Sequence, residues 1–404
     1  MMKDKFNGNP EFSIHNLEFI INTPAIRFKG FSGEWEVISF ASISESFDYG
    51  LNAAAKEYDG KNKYIRITDI KEDTRVFDHG GVTSPNTDLT AADNYRLKYG
   101  DILFARTGAS VGKTYIYREQ DGLVYFAGFL IRARIKESVN AEFIFQSTLT
   151  EKYNKFIRLT SQRSGQPGVN ALEYGAYEVF LPQPKEQTQI GNYFQQLDTL
   201  IAQHQQKHDK LLNLKKALLE KMFPKQGKKE PEIRFKGFSG EWEDLELCQI
   251  VDVRSGRDYK HLSSGDIPVF GTGGYMLSVN QALSYNENAI GIGRKGTIDK
   301  PYILKAPFWT VDTLFYAVPY AKNNLDFIYA TFQKINWRQK DESTGVPSLS
   351  KVSINSISVF TTEETEQTKV GNLFTNIDTL INQHQAQLKK LNNIKQACLE
   401  KMFV

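Results

Sequence analysis

The segment EQTQIGNYFQQLDTLIAQHQQKHDKLLNLKKALLEKMF, residues 186–223, occurs twice in this chain and is the main basis for predicting its fold. The second copy, residues 366–403, reads EQTKVGNLFTNIDTLINQHQAQLKKLNNIKQACLEKMF and is identical at 23 of 38 positions. In both copies apolar residues recur at alternating spacings of four and three, which is typical of a long helix with an apolar seam. The predicted seam residues are Ile190, Phe194, Leu197, Ile201, Leu211, Leu218, Val370, Phe374, Ile377, Ile381, Leu388 and Leu391. A seam of this length predicts that each helix packs against a partner helix.

A second repeat stands in front of each helix-containing half. PAIRFKGFSGEWE at residues 24–36 recurs as PEIRFKGFSGEWE at residues 231–243, with one difference. Between the repeated parts the halves diverge, with 149 residues (37–185) in one and 122 residues (244–365) in the other. The chain is therefore predicted to be a duplicated module, divided into an N-terminal extension (1–23), a first variable domain (24–185), a first long helix (186–223), a linker (224–230), a second variable domain (231–365) and a second long helix (366–404).

The short linker constrains how the helices pair. PKQGKKEP, residues 224–231, spans at most about 28 Å, so the second variable domain begins near the end of the first helix. The second helix leaves that same domain, so pairing of the seams makes the helices antiparallel. The predicted fold class is α+β: two β-rich domains held apart by two long helices that form an antiparallel coiled coil with approximate two-fold symmetry. The alternatives are that each helix packs on its own domain, or that two chains dimerise through the seams.

Two glycine-rich segments imitate nucleotide-binding motifs. Residues 108–114, GASVGKT, resemble a phosphate-binding loop but have three residues between the glycines where the motif has four. Residues 291–296, GIGRKG, match a dinucleotide fingerprint, but TIDKPYIL follows where that fingerprint requires a helix. Because both segments are followed by β-forming residues, we interpret them as one repeated element, a glycine-rich β-hairpin.

The hairpin carries the first candidate nucleic-acid contacts. Arginine, lysine, serine and threonine at hairpin tips suit phosphate contacts and hydrogen bonds to base edges. The candidates are Arg106, Thr107, Ser110 and Lys113 in the first domain and Arg294, Lys295, Thr297 and Lys300 in the second. The alternative is a surface turn with solvated charges.

Two further segments add candidates. A Gly-Pro loop follows a predicted late helix (141–157 and 325–335) in each domain, and it supplies Arg163, Ser164 and Gln166 in the first domain and Ser343 and Thr344 in the second. These side chains either reach a DNA groove or simply cap the helix. A basic segment of the second domain contributes Arg257, Tyr259 and Lys260.

Composition excludes several classes of protein. The 404 residues carry 50 basic and 47 acidic side chains, and only two cysteines, so neither a disulfide framework nor a cysteine-rich metal site is expected. No apolar run is long enough to span a membrane, and the start lacks a secretory signal, which predicts a cytoplasmic protein. No catalytic motif was found, and His204 and His208, one helical turn apart, are interpreted as coiled-coil residues rather than metal ligands.

Taken together, these segments resemble the specificity subunit of a Type I restriction-modification system. The resemblance covers residues 24–404 and is carried by the two IRFKGFSGEWE segments, YIRITDI (64–70), GDILFARTGASVGK (100–113), GRKGTIDKPYILKAPFWTVDTLFY (293–316) and the two LEKMF helix ends. It implies that the variable domains are target recognition domains, each reading one half of an asymmetric bipartite site in double-stranded DNA. It also implies that the helices set the spacer and dock two methyltransferase subunits.

The resemblance places the chemistry elsewhere. S-adenosylmethionine, ATP and magnesium are expected on partner subunits, which are the methyltransferase and a restriction subunit joined through it. No cofactor and no metal ion are expected in this chain. The variable domains are nearly neutral, with 21 basic and 20 acidic residues in 24–185 and 14 and 16 in 231–365, which predicts weak binding of DNA by the chain alone. The alternatives are a coiled-coil adaptor that never touches DNA and a cryptic nucleotide-binding enzyme.

Overall fold

A computed structural model describes residues 22–163, 165–225 and 227–404. Ser164 and all but the last two residues of the predicted N-terminal extension lie outside them. The chain divides into a first unit, residues 22–202 with 389–404, and a second unit, residues 203–388. No helix in the described part of the chain is long and apolar enough to cross a membrane.

The first unit is built on two four-stranded sheets. Its strands are β1 (Glu36–Ser39), β2 (Ser44–Tyr49), β3 (Ala55–Glu57), β4 (Lys63–Ile65), β5 (Thr83–Pro85), β6 (Ile102–Ala105), β7 (Thr114–Ile116), β8 (Val124–Phe126), β9 (Leu130–Ile135) and β10 (Glu178–Leu181). The sheets have the orders β2-β9-β6-β7 and β3-β5-β4-β8, and β1 pairs with β10. Its helices are α1 (Ala141–Ser147), α2 (Glu151–Thr160), α3 (Ala171–Gly175) and the first half of α4 (Pro184–Lys221).

The second unit repeats the plan with a smaller second sheet. Its strands are β11 (Glu243–Glu246), β12 (Val251–Ser255), β13 (Ser264–Gly271), β14 (Gly274–Val279), β15 (Ala289–Gly293), β16 (Tyr302–Leu304), β17 (Trp309–Thr310), β18 (Leu314–Pro319) and β19 (Ser358–Thr361). They form the sheets β12-β18-β15-β16 and β14-β13-β17 and the pair β11-β19. Its helices are α5 (Leu247–Ile250), α6 (Leu325–Lys334), α7 (Lys351–Asn355), the second half of α4 and the first part of α8 (Glu364–Met402), whose end from Lys389 onward belongs to the first unit.

The two glycine-rich segments occupy the same place in the two units. β6 pairs with β7 as an antiparallel hairpin at one edge of the first sheet, and β15 pairs with β16 in the same way. The order β2-β9-β6-β7 therefore corresponds to β12-β18-β15-β16. Both glycine-rich segments are followed by strands rather than helices, as their sequences predicted.

The predicted late helix over residues 141–157 is wrong in one respect, because the structure has two helices there. α1 ends at Ser147 and α2 begins at Glu151. Between them the Thr148 and Thr150 hydroxyls donate to the carbonyl oxygens of Phe145 and Ser147, and Thr150 also caps α2. Threonine hydroxyls that bond locally to the backbone compete with helix continuation, which is the physical reason for the break.

Within the first unit the beginning of α4 and the end of α8 run antiparallel. The Tyr193 hydroxyl lies 3.6 Å from the Cys398 sulfur, and Lys395 Nζ donates to Asp198 over 2.6 Å. Residue numbers rise on α4 as they fall on α8, which confirms the predicted antiparallel pairing in this unit.

Within the second unit the end of α4 pairs with the beginning of α8 in the same sense. Lys215 forms an ion pair with Asp378, the repeat counterpart of the Lys395–Asp198 pair. Closer to the middle of the helices, His204 Nδ1 lies 2.9 Å from Nδ1 of His384, which is the same position of the other repeat. The antiparallel pairing is confirmed in this unit as well.

The ends of the predicted seam belong to the cores of the domains. Ile190 and Phe194 are buried with Trp35 and Phe403 in the main core of the first unit. In the second unit Val370 and Phe374 are buried in the corresponding core with Trp242 and Phe223. Of the other seam positions, Leu197, Ile201, Ile377 and Leu388 are buried, and Leu211, Leu218, Ile381 and Leu391 are partly exposed.

The IRFKGFSGEWE segments join each domain to both long helices. In the first unit Arg27 makes a bidentate ion pair with the fully buried Glu186 near the start of α4, and the Ile26 amide donates to the Lys401 carbonyl oxygen at the end of α8. In the second unit Arg234 pairs with Glu366 and the Ile233 amide donates to the Lys221 carbonyl oxygen. The repeated segment is therefore a structural junction.

Candidate nucleic-acid interface

In the first unit the hairpin and the Gly-Pro loop, two separate predictions from sequence, lie together. The Gly108 amide donates to the Pro167 carbonyl oxygen over 3.0 Å, and the Val169 amide donates to the Arg106 carbonyl oxygen over 2.9 Å. A Cβ placed on Gly108 would lie 3.1 Å from the Gln166 side-chain nitrogen. The two loops therefore form one surface around Arg106.

The second unit has the same arrangement. The Gly296 amide donates to the Pro347 carbonyl oxygen over 2.8 Å, and the Leu349 amide donates to the Arg294 carbonyl oxygen over 2.9 Å. Because backbone groups make these bonds, the arrangement survives although the side chains of the two units differ. We refer to each pair of loops, with its arginine, as a paired-loop surface.

An arginine stacks on an aromatic ring in each paired-loop surface. The guanidinium carbon of Arg106 lies 5.0 Å from the ring centroid of Tyr49, and that of Arg294 lies 5.7 Å from that of Phe315. Stacking on a ring restricts the guanidinium without neutralising its charge. Arg294 also donates a hydrogen bond to the Asp312 carbonyl oxygen over 3.4 Å. A guanidinium group has further N–H donors, which can make a bidentate contact with a base edge or a phosphate.

The third predicted segment begins beside the second paired-loop surface. The Arg294 amide donates to the Thr313 carbonyl oxygen over 2.8 Å, and the Gly256 amide donates to the carbonyl oxygen of the next residue, Leu314, over 3.0 Å. Arg257 and Lys260, which follow Gly256, are exposed, whereas Tyr259 is partly buried in a small apolar cluster. Arg257 and Lys260 therefore remain candidate contacts, and Tyr259 contributes mainly to packing.

Lys113, which the sequence predicts as a DNA contact, is buried and bonded within the protein in this structure. Its side chain is 8% exposed, and Nζ donates to the Ile70 carbonyl oxygen over 3.2 Å and pairs with Glu72 over 2.6 Å. The hydrogen bond from Lys113 lowers the pKa of the Glu72 carboxyl. Through these contacts with Ile70 and Glu72, Lys113 joins the hairpin to the neighbouring loop.

Two loop side chains are also engaged within the protein. Arg163 donates to the carbonyl oxygens of Thr160 and Gln162 at the end of α2 and pairs with Glu173. Ser343 donates its hydroxyl to Asp341 over 2.8 Å. The Arg163 contacts match the helix-capping alternative, and the Ser343 contact lies within its own loop, so both residues rank below the arginines as candidates.

The other predicted residues are accessible to a ligand to different degrees. Gln166, Lys295, Lys300, Arg294 and Thr344 are exposed, and Arg106, Thr107, Ser110 and Thr297 are partly exposed. Ser164 lies outside the described residues. No group of three or more histidine, cysteine, aspartate or glutamate side chains in the described ranges is placed to hold a metal ion.

Sequence reasoning missed the rings below the arginines. Tyr49 lies on β2, 57 residues before Arg106, and Phe315 lies on β18, 21 residues after Arg294. Nothing in a single strand shows which ring an arginine covers. The available signal was the glycine that follows Tyr49. A Cβ on Gly50 would lie 2.1 Å from the Ala127 carbonyl oxygen, and one on its counterpart Gly256 would lie 2.0 Å from that of Val311.

Comparison with known proteins gives one family for both halves of the chain. The family model described as "Type I restriction modification DNA specificity domain" matches residues 33–213 and 239–393. The chain is also similar to two specificity subunits of Methanocaldococcus jannaschii. It is 25% identical to the Type I restriction enzyme MjaVIII subunit over 235 residues, which are 56% of this chain and 52% of that protein. It is 25% identical to the putative MjaX subunit over 198 residues, 48% of this chain and 46% of that protein.

The chain thus spans about half the length of the curated relatives it matches. Among solved structures, the S subunit of a Type I restriction-modification system from M. genitalium has a TM-score of 0.72 at 16% identity, covering 95% of this chain and 99% of that one. This likeness shows a shared fold.

Proposed function

Because this chain belongs to the Type I restriction-modification DNA specificity family, we propose that it is the subunit that selects the DNA sequence modified by such a system. In this proposal each unit reads one half of an asymmetric bipartite site in double-stranded DNA. The chain itself is non-catalytic, and methyl transfer takes place on partner methyltransferase subunits.

The observation that carries the proposal is the repeated paired-loop surface. Backbone hydrogen bonds around Arg106 recur around Arg294, while the side chains that these loops present differ between the units. A backbone arrangement that is the same in both units, with different side chains on it, suits the recognition of DNA at two sites of different sequence. Base edges in the major groove differ by their hydrogen-bonding pattern, which such side chains discriminate.

The repeated segments support a second part of the proposal. Helices α4 and α8 share most of their sequence and carry the same interhelical ion pair in each unit. We propose that they fix the spacer between the two half-sites and dock two methyltransferase subunits, through which a restriction subunit joins. Because the two repeats carry similar helix surfaces, they suit the binding of two copies of the same methyltransferase subunit.

The proposal is tested by reading methylated sequences in cells that express this chain with its methyltransferase. Arg106→Ala and Arg294→Ala form a matched pair of variants. We expect each to weaken the preference at one position, about 1–3 kcal/mol for a bidentate base contact, with the first affecting one half-site and the second the other. Uniformly weaker methylation with a smaller salt dependence would assign the arginine to phosphate instead.

An exchange of residues 37–181 for the corresponding segment of another family member is the stronger experiment. We expect one half of the methylated sequence to change and the other to stay. If both halves stay the same, recognition by the first unit is wrong, and the adaptor alternative gains support.

Charge determines where specific binding should appear. The two variable domains have net charges of +1 (21 minus 20) and −2 (14 minus 16) by sequence. Non-specific affinity for DNA comes mainly from phosphate neutralisation, so we expect tight specific binding only in the complex with methyltransferase subunits. Nanomolar specific binding by the isolated chain at physiological salt would contradict this expectation.

A further inference from the structure

The first unit contains a cleft beside Arg106 that the sequence did not predict. Its volume is about 610 Å³, and Arg106 and Tyr49 lie in its wall together with Asn52, Thr68 and Phe129. We call it the first-unit cleft. Because Arg106 belongs both to the paired-loop surface and to the cleft, the two are contiguous.

The walls of the cleft have the chemistry of base recognition. Phe129 is 62% exposed although it is a large apolar side chain, and Tyr49 is also exposed. Asn52 and Thr68 are exposed polar side chains in the same wall. An asparagine amide fits the major-groove edge of adenine, threonine contacts either base type, and an apolar ring packs against the thymine methyl group.

The second unit is built differently at this place. The Arg106 amide donates to the Phe129 carbonyl oxygen, and the Arg294 amide donates to the Thr313 carbonyl oxygen. Thr313 is therefore the structural counterpart of Phe129 in the second unit. Asn52 and Thr68 flank strands of the four-stranded sheet β3-β5-β4-β8, whereas the second unit has the three-stranded sheet β14-β13-β17. The first variable domain is also longer by 27 residues, 149 against 122.

We infer that the first-unit cleft reads at least one base pair beyond those contacted by the paired-loop surface of the first unit. This inference rests on the proposed function, since it requires that the first unit reads DNA. The ligand of the cleft is the major-groove edge of a base pair. Asn52 and Phe129 are its specificity-determining residues.

The test compares methylated sequences produced by variants of the full chain in its complex with the methyltransferase. Phe129→Thr introduces the residue that the second unit has, and Asn52→Ala removes the amide. Each is expected to lower the preference at one position of the first half-site by about 5- to 150-fold, the range of one base contact. The second half-site should be unchanged. Asn154→Ala, an exposed asparagine on α2 outside the cleft, is the control and should leave every position unchanged.

Two results would overturn the inference. One is that Asn52→Ala and Phe129→Thr both leave the methylated sequence as in the wild type. The other is that both variants, with unchanged melting temperatures, weaken methylation equally at all positions. A wild-type chain that directs no bipartite methylation would instead refute the proposed function, so the two failures are distinguishable.

Discussion

Arg106 and Lys113 lie seven residues apart in the first hairpin, but their side chains have different surroundings. In the structure Arg106 lies over the ring of Tyr49, whereas Lys113 is buried and bonded to Ile70 and Glu72. The direction in which a loop side chain points depends on the neighbouring loop, and that loop is distant in sequence.

The residue pair Arg27 and Glu186 yields a prediction on stability. Glu186 is fully buried and its carboxylate accepts two hydrogen bonds from Arg27, at 2.6 and 2.7 Å. Arg27→Ala should lower the free energy of unfolding by about 3–5 kcal/mol, because it leaves a buried carboxylate unpaired. Denaturant unfolding of the full chain measures the change.

Lys29→Ala is the matched control, since Lys29 is exposed on the same segment and its loss should cost less than about 0.5 kcal/mol. Arg234→Ala should repeat the effect of Arg27→Ala through Glu366. A loss for Arg27→Ala no greater than that for Lys29→Ala would show that the ion pair does not stabilise the junction.

At the scale of elements, the long helices combine a predictable seam with an unpredicted contact with the domains. Gly191 and Gly371 are identical in the two repeats, and a Cβ there would lie 2.4 and 2.7 Å from the side-chain oxygens of Asn140 and Asn324. These asparagines cap α1 and α6. Each long helix therefore needs a glycine where the capped end of a domain helix rests on it.

The helix pair should also respond to pH through its histidines. Partial burial, and then the nearby His204, Lys207 and His208, lower the pKa of His384 below its usual 6.5. The unfolded chain therefore binds a proton at His384 more readily than the folded chain does. The folded state is accordingly most stable with His384 neutral, above pH 6.5, and it loses stability as the pH falls from there through the lowered pKa of the folded state.

Denaturant unfolding at pH 7.5 and pH 5.5 tests this expectation. We expect the wild type to lose more stability on acidification than His384→Gln, which cannot be protonated. His261→Gln, at an exposed histidine of the second unit, serves as the control and should behave as the wild type. Equal losses in all three proteins would mean that the histidine pair does not sense pH.

At the scale of the whole molecule, the two repeats allow a test of the proposed spacer function. A seven-residue insertion preserves the seam and lengthens a helix by about 10 Å. Inserted after His204 and after His384 together, it should lengthen the spacer of the methylated sequence by about three base pairs, at about 3.4 Å per pair. Sequencing of methylated DNA reads the result directly.

A four-residue insertion in α4 alone is the companion variant. It moves the apolar positions off the seam, so we expect it to destabilise the helix pair and abolish methylation. An unchanged spacer in the seven-residue variant, with methylation retained, would refute the proposal that the helices set it.

The duplicated architecture can be predicted from the amino-acid sequence alone. Periodicity and internal repetition are properties of the chain, so two copies of a helix, the short linker after the first, and two glycine-rich hairpins already predicted antiparallel helices and matched domains. The family followed from the same repeated segments.

The surroundings of Arg106 and Arg294, by contrast, depend on how the chain folds. In each unit the bonded residues of the hairpin and the Gly-Pro loop are more than 40 residues apart in sequence. The ring below each arginine lies on a strand outside the hairpin. Backbone hydrogen bonds between distant loops bring them together, and such bonds leave little trace in residue type because every residue has the groups that make them. For the same reason Lys113 and the first-unit cleft could be assigned only from the folded chain.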